Sequence, residues 1–576
     1  MKDWTETYNQ HTVAEKSNRI VDCIISTIYK NKLCIYEKHN FTSFEVDILL
    51  RWVLYVGVNT YIERLLRVKA NQNINYYPDI SDVRAVNPRY YKDTVESVQA
   101  YYYDYTINYN LLSQLAGIIN RDTSCTVSND SNFSSQHNIV NEIENKAGNK
   151  LKKYVKKYIL FVEKIFYFIF KPKIIGDTSA WFRNLYMFGH SVDFNKIKFS
   201  TKKIIVDSTA RNTIKEVCYQ SFKDNINGIV DVLDGNQVDQ LAVIFSEWID
   251  HIIPVSIVEE LDDRFIYYTK LVRKWHIEQL HSFTGYYYSD NLKIFAIIVR
   301  RHGAKLVGHS HGVSNYTSFY KGSNELKYLD YYTTYGKCVT DSLLNNPEAK
   351  NVKFLPVGSV SLYKLKKWKK TNDNNSIITL FYPSGPMRYF MSDLQEISPE
   401  KRMRHRLDIL SFLNSLFMNY PKLNILYKPF PGTFSHDPIR TKLSQWFDKG
   451  KIKLYDDAPY KIYADVDVVL WDSISTGFAE SMNAQVPTIV FNCKSEYDLS
   501  SPDGKIVNDA LTEVGVQCFN AEDAMKSFKR IKDDPQGYKN DSTKVFKKFK
   551  EDSAMPVSKK TWHKHYNDQM SKYVND

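Results

Sequence analysis

The sequence predicts an α/β protein of at least two domains, each carrying a parallel sheet with helices on both faces. Three observations predict it. The chain has 576 residues, and a single hydrophobic core rarely grows past roughly 250–300 residues. From about 376 to 531, short apolar runs alternate with helical patterns, the signature of a sheet wound on both faces. A similar, less regular alternation runs from about 171 to 307. Composition agrees: 43% hydrophobic and 25% charged residues describe a globular chain rather than a disordered one.

The first half opens helical. Apolar positions recur at helical spacing over 20–28 and again over 46–66. Residues 71–150 are rich in Asn, Ser, Asp and Tyr, and 123–141 has few large apolar residues. This stretch reads as a variable insertion with a mobile loop. Residues 151–170 resume a helix. Segments 203–206 and 265–268 read as strands. Residues 289–301 read as a helix capped by Ser289, with Leu292, Phe295, Ala296 and Val299 on its apolar face. It leads into a buried strand at 304–307 that ends at Gly308.

The second half is clearer. Strands are expected at 377–382, 423–427, 452–455, 466–471, 487–491 and 514–519. Helices are expected at 401–419, 438–447, 459–464, 476–483 and 521–531. Asp437 caps the helix at 438–447, with Pro438 in the favoured first position. Sheets of this kind bind ligands beyond the carboxyl ends of their strands, at the point where strand order reverses. The loops that matter are therefore 383–388, 428–434, 456–460 and 472–477. The division that follows is 1–345, with a helical region at 1–70 and the insertion at 71–150. A linker follows at 346–375, charged and flexible over 364–375. The second domain spans 376–540, and a tail at 541–576 is expected to pack back across the first domain.

Charge and cysteine usage narrow the class. The chain carries 77 basic against 65 acidic residues, a net charge of +12. Its lysines are dispersed, with clusters at 152–157, 364–370 and 544–550. No zinc-finger spacing, RNP-like strand or basic zipper is present, so a nucleic-acid partner is not expected. A basic face can instead meet an anionic membrane or a phosphorylated substrate. The seven cysteines are scattered and form no CxxC pair, which suits a reducing cytoplasm. The first nine residues lack a signal-peptide core. Segments 47–62 and 158–170 are apolar but broken by charged or polar residues, short of the ~20 uninterrupted apolar residues a spanning helix needs. With its basic flanks, 158–170 is also a candidate for peripheral contact with the inner membrane.

Four constellations carry chemistry. The first is Val468-Val-Leu-Trp-Asp-Ser-Ile-Ser-Thr-Gly-Phe-Ala-Glu-Ser. Here a strand runs into Ser473, Ser475 and Thr476, which open a helix. Free N–H groups at that start favour an anion, and the hydroxyls add donors. Glu480 lies one turn on, where its carboxylate can accept both hydroxyls of a ribose. A plain cap with a solvated Glu is the bland alternative. The second is Tyr427-Lys-Pro-Phe-Pro-Gly-Thr, whose tight turn aims Lys428 at a phosphate; an ordinary turn is as consistent with it. The third is Tyr382-Pro-Ser-Gly-Pro-Met-Arg, where Ser384 and Gly385 permit close backbone approach and Arg388 can clamp a phosphate; a structural loop is as consistent with it. The fourth is Gly308-His-Ser-His-Gly, followed by Glu325. His309 or His311 can act as general base on an acceptor hydroxyl, with Glu325 as the alternative base and packing histidines as the alternative reading. The histidines lack a local third ligand, so no metal site is expected. No GxxxxGK[ST] or HExxH motif occurs, and Asp465-Val-Asp467 reads as a helix–strand junction rather than a metal-binding DxD loop.

Gly303-Ala-Lys-Leu-Val-Gly-His-Ser-His-Gly, the Glu325 and Tyr335-Gly336 spacing, and 472–491 together resemble the surface-carbohydrate transferases of bacterial O-antigen and capsule clusters. In that family a Gln-His-Gly-Gly segment follows the strand; here Ser310 and Val313 replace the Gln and the second Gly. The resemblance spans about 41–70 and 250–530. It implies a GT-B fold of two Rossmann-like domains facing a cleft, distantly like CDP-glycerol glycerophosphotransferases and capsule Kdo transferases. It further implies a glycosyltransferase with no obligatory metal that takes a nucleotide-sugar donor, CMP- or CDP-linked, and a glycan or lipid-linked acceptor. On that reading 1–345 is the acceptor side and 376–540 the donor side. A CDP-alditol glycerol- or ribitol-phosphate transferase, a nucleotide-sugar 2-epimerase and a non-catalytic scaffold share the architecture.

Overall fold

A computed structural model describes residues 8, 10–31, 34–71, 90–103, 105–119, 172–177, 191–197, 199, 205–230, 233–310, 312, 326–344, 349–363, 365–368, 377–383, 399–429, 442–498, 502–552 and 554–574.

Two six-stranded parallel sheets carry the fold. The first contains β1 (Ile174–Gly176), β2 (Ser191–Asp193), β3 (Gln279–Ser282), β4 (Lys305–His309), β5 (Tyr331–Thr334) and β6 (Lys353–Pro356), in the order β2-β1-β3-β4-β5-β6. The second contains β7 (Ile377–Tyr382), β8 (Leu423–Tyr427), β9 (Ile452–Leu454), β10 (Val468–Trp471), β11 (Thr488–Phe491) and β12 (Gln517–Cys518), in the order β12-β11-β10-β7-β8-β9. This is the α/β arrangement of parallel sheets that the sequence predicts. Central strands buried on both faces need continuous apolar runs, and Val468–Trp471 and Thr488–Phe491 are buried at every position. Strand order reverses between β1 and β3 in the first sheet and between β7 and β10 in the second.

A helical layer covers the first sheet. The helix Ser43–Ala70 is its centre, and its capping box pairs Thr42 with Glu45. It is buried around most of its circumference, as expected of a helix apolar on all sides. Helices Gln10–Lys30, Tyr105–Ile119, Gly235–Ile252 and Asp290–Arg301 pack against it. Its buried charges are paired: Arg67 with Glu63 at 2.7 Å, and Arg51 with Asp47 at 2.6 Å. Unpaired, each would be costly in this interior. Among the described residues no helix is long and apolar enough to cross a membrane.

Several expectations change. Residues 265–268 lie in the helix Leu261–Val272, not in a strand. Leu261, Arg264, Phe265, Tyr268 and Val272 are its buried positions, and that spacing is helical. Residues 205 and 206 are exposed and lie outside any strand. Within 71–150, Thr94–Tyr103 and Tyr105–Ile119 are helices, and the second buries Ile107, Leu111, Leu112 and Leu115; part of the expected insertion is core. Trp368, expected in a flexible linker, is buried. Its indole N–H donates to the Val466 carbonyl at 2.9 Å and its amide to the Ala484 carbonyl at 2.7 Å. The helix at 151–170 and the start of the one at 438–447 lie outside the described residues.

The tail does return to the first sheet. Ser359 forms a parallel bridge with Pro556. Val557 and, from the helix Lys559–Val574, Trp562 and Tyr566 then pack against Val307, Tyr331 and Leu355. Gly358 makes the crossing possible. Its φ is +83°, and a Cβ there would sit 2.8 Å from the Met555 carbonyl oxygen, so both conformation and space favour glycine.

Candidate functional site

The second sheet presents the first half of the site. Register pairs Trp471 with Tyr382 at the carboxyl ends of β10 and β7, so Asp472 leaves the sheet at the reversal point. The helix Thr476–Ala484 begins just beyond. Ser475 caps it, its hydroxyl accepting from the Phe478 amide. Gly477 lets this first turn lie on Trp471: a Cβ there would meet the indole at 2.1 Å. The indole is fixed in turn by its N–H bond to the Ser481 hydroxyl at 3.2 Å. The helix start is thereby held at the crevice with its orphan N–H groups outward, a geometry suited to anions.

Ionised and aromatic groups ring that helix start. Glu480 is half-buried and engages the hydroxyl of buried Tyr463. Burial, then Glu480, hold that phenol well above its usual pKa. Tyr382, tilted against Trp471 at 5.1 Å, is also raised, by burial first and then by the Glu480 and Asp472 charges. Behind them, Arg406 of the helix Pro399–Asn419 pairs with Asp472 at 2.8 Å, both nearly fully buried. His405 bonds the Asp472 carbonyl at 3.2 Å, and burial pushes its pKa down to about 4.

The first sheet presents the other half. The loop after β4 carries Gly312, where a Cβ would lie only 2.0 Å from the Thr476 hydroxyl oxygen. The carboxyl ends of β4 and β10 therefore face each other, and a side chain at 312 would force them apart. Beside Gly312 is a recess of about 20 Å³ lined by His309, Ser310, Thr333, Ser359, Ser361 and Trp562, among others.

The expected residues fare unequally. The structure brings Ser473, Ser475, Thr476 and Glu480 together at the reversal point. It holds Lys428 one strand further out, its ammonium donating to the Asp456 carbonyl at 3.0 Å on the β9 side. Ser384, Gly385, Arg388, His311 and Glu325 lie outside the described residues. His309 does not hold as an exposed base. It is 1% exposed, both ring nitrogens are hydrogen-bonded, and burial pushes its pKa down to about 3. It is an interior, neutral imidazole, unable to reach an acceptor in solvent. Sequence reasoning missed Tyr382, Tyr463, Arg406 and His405. Tyr382 was findable as the last residue of an apolar strand; the other three lie on separate elements with no local signal.

Comparison with known proteins adds a family. The chain superposes loosely on UDP-GlcNAc 2-epimerase from Neisseria meningitidis bound to UDP-GlcNAc, with 12% identity, 54% of this chain and 81% of that one covered, and a TM-score of 0.36. It superposes similarly on the pneumococcal O-GlcNAc transferase GtfA in complex with UDP and GlcNAc, with 13% identity, 55% and 61% covered, and a TM-score of 0.35. Among proteins of curated function none matches. The family profile described as LIC12162 family transferase matches residues 5–565, nearly the whole chain, and this protein belongs to that family.

Proposed function

We propose that this transferase moves a sugar from a nucleotide-sugar donor to a glycan or lipid-linked acceptor in bacterial surface-polysaccharide assembly. The observation that carries the reading is the helix start at Ser475 and Thr476, at the reversal point of the second sheet, with Glu480 one turn on and Gly312 of the first sheet against it. The helix N-terminus and the Ser473, Ser475 and Thr476 hydroxyls take the donor phosphate. Charge develops there as the nucleotide leaves, and fixed donors aimed at that position stabilise it without reorganisation. Glu480 accepts the ribose hydroxyls. Arg388 and Lys428, with the Ser384-Gly385 turn, complete the phosphate site without an obligatory metal. His311 or Glu325 takes the acceptor proton, since His309 is interior. The 346–375 segment joins acceptor side to donor side. The chain acts in the cytoplasm, its basic clusters making peripheral contact with the anionic inner face of the membrane.

Thermal unfolding with CMP, CDP and UDP, each with and without magnesium, tests the donor site. A ligand that binds only the folded state stabilises it by about 2.7 kcal/mol at a hundredfold excess over Kd. One nucleotide is expected to raise Tm without magnesium, and Glu480→Ala to remove most of that rise. CMP would indicate a Kdo-like donor and CDP an alditol. Absence of any shift would overturn the reading.

A further inference from the structure

Four buried side chains and the half-buried Gln279 form one hydrogen-bonded line across the first sheet. The Tyr566 hydroxyl, from the tail helix, donates to Gln279 Oε1 at 2.8 Å. The same oxygen bonds His281 Nε2 at 2.9 Å. His281 Nδ1 meets His309 Nε2 at 3.0 Å, and His309 Nδ1 meets the Thr333 hydroxyl at 2.8 Å. The line thus steps from β3 to β4 to β5 and ends at the recess beside Gly312. Its polarity follows from the donor inventory. An amide oxygen only accepts, so His281 Nε2 carries the proton. A neutral imidazole then accepts at Nδ1, so His309 donates from Nε2 and accepts at Nδ1. Burial holds both imidazoles neutral, well below their ordinary pKa. Thr333 must therefore give its only hydroxyl proton to His309.

Ser310 is committed in the same way, its hydroxyl donating to the Gly312 carbonyl at 2.9 Å. Two hydroxyl oxygens at the recess thus have their protons spent on the protein. They can only accept. A group that enters beside these two oxygens must bring a donor to meet them, and about 20 Å³ is room for one hydroxyl-sized group. We infer that this recess is a subsite for a donor-bearing hydroxyl of the acceptor, and that His281, His309, Gln279 and Tyr566 are positioning residues that fix Thr333 as a hydrogen-bond acceptor there. The assignment to an acceptor molecule rests on the transferase reading; the polarity of the recess does not.

The polarity is tested directly on the full chain with ¹⁵N-labelled histidine at pH 7. His281 and His309 are expected as neutral Nε2–H tautomers. An Nδ1–H tautomer or an imidazolium at either would overturn the inference, because a reversed line makes Thr333 a donor to the recess or leaves its proton free. Selectivity is tested with methyl-labelled threonine and two probes, glycerol and its trimethyl ether. Glycerol should shift the Thr333 methyl signal and the ether should not. An equal response to both, or none to glycerol, would sink the subsite. Ser310→Ala leaves Thr333 in place for this readout and is expected to weaken the glycerol response severalfold, while Ser310→Thr keeps it; an undiminished response in Ser310→Ala counts against the inference. The nucleotide thermal shift is read on the same samples. Its absence beside an intact glycerol response would remove the transferase reading and leave the recess standing.

Discussion

The two sheets share strand number and parallel direction but finish their carboxyl ends in opposite ways. The second ends in charge. Glu480, Asp472 and Arg406 gather behind a helix start whose N–H groups face outward. The first ends in neutral polarity. Its histidines are buried and uncharged, its hydroxyls are bonded internally, and a helix from the far end of the chain lies over it. Under the proposed function, the difference teaches that one sheet plan can serve two ligand types. A phosphate needs fixed positive potential at a helix N-terminus. A hydroxyl needs only correctly polarised oxygens.

Three perturbations act on this contrast unequally. Trp562→Ala should act most strongly and on the first sheet alone. It removes a fully buried indole from between Val307, Tyr331 and Leu355, and such truncations cost about 3–5 kcal/mol. Chemical denaturation should show that loss while a nucleotide-induced Tm rise survives; loss of the rise would show that the two ends are coupled. Acid comes next. His309, at about 3, and His405, at about 4, stay neutral when folded but take up protons near pH 6.5 when unfolded. Their folded pKa values are depressed, so the stability they contribute is complete above about pH 6.5 and falls as pH drops toward those values. Each contributes up to about 1.4 kcal/mol of loss per pH unit in that window. Asn in place of His309 should flatten the curve, and an unchanged slope would show that the imidazole is not held neutral. Smallest is Ser475→Ala, which removes the cap of the helix Thr476–Ala484 and should cost about 1 kcal/mol. Its Tm change should be accompanied by weaker nucleotide binding; unaltered binding would mean that the hydroxyl serves the helix alone.

How much of this the sequence shows depends on distance along the chain. The second sheet was legible because each strand is a short apolar run followed closely by its helix. Ser289 was legible as a cap because capping is local, and its hydroxyl accepts from the Leu292 amide. The stretch Phe265-Ile-Tyr-Tyr failed because aromatic and β-branched residues favour strands, while the register of its burial is helical. At the proposed site, Ser473, Ser475, Thr476 and Glu480 belong to one local motif, so their nearness to one another was legible. Arg406 was not, because it meets Asp472 only when a helix folds over the end of β10. His281 was invisible for the same reason: beyond its strand neighbour Gln279, its partners come from β4 and from the tail.

The return of the tail sets an order for synthesis. Val307, Tyr331 and Leu355 emerge from the ribosome long before Val557, Trp562 and Tyr566, which cover them. Until then the first sheet shows apolar side chains to the cell, and such surface invites aggregation. The nascent chain therefore holds a half-finished first sheet throughout the making of the second, and it closes that surface only when the helix Lys559–Val574 arrives.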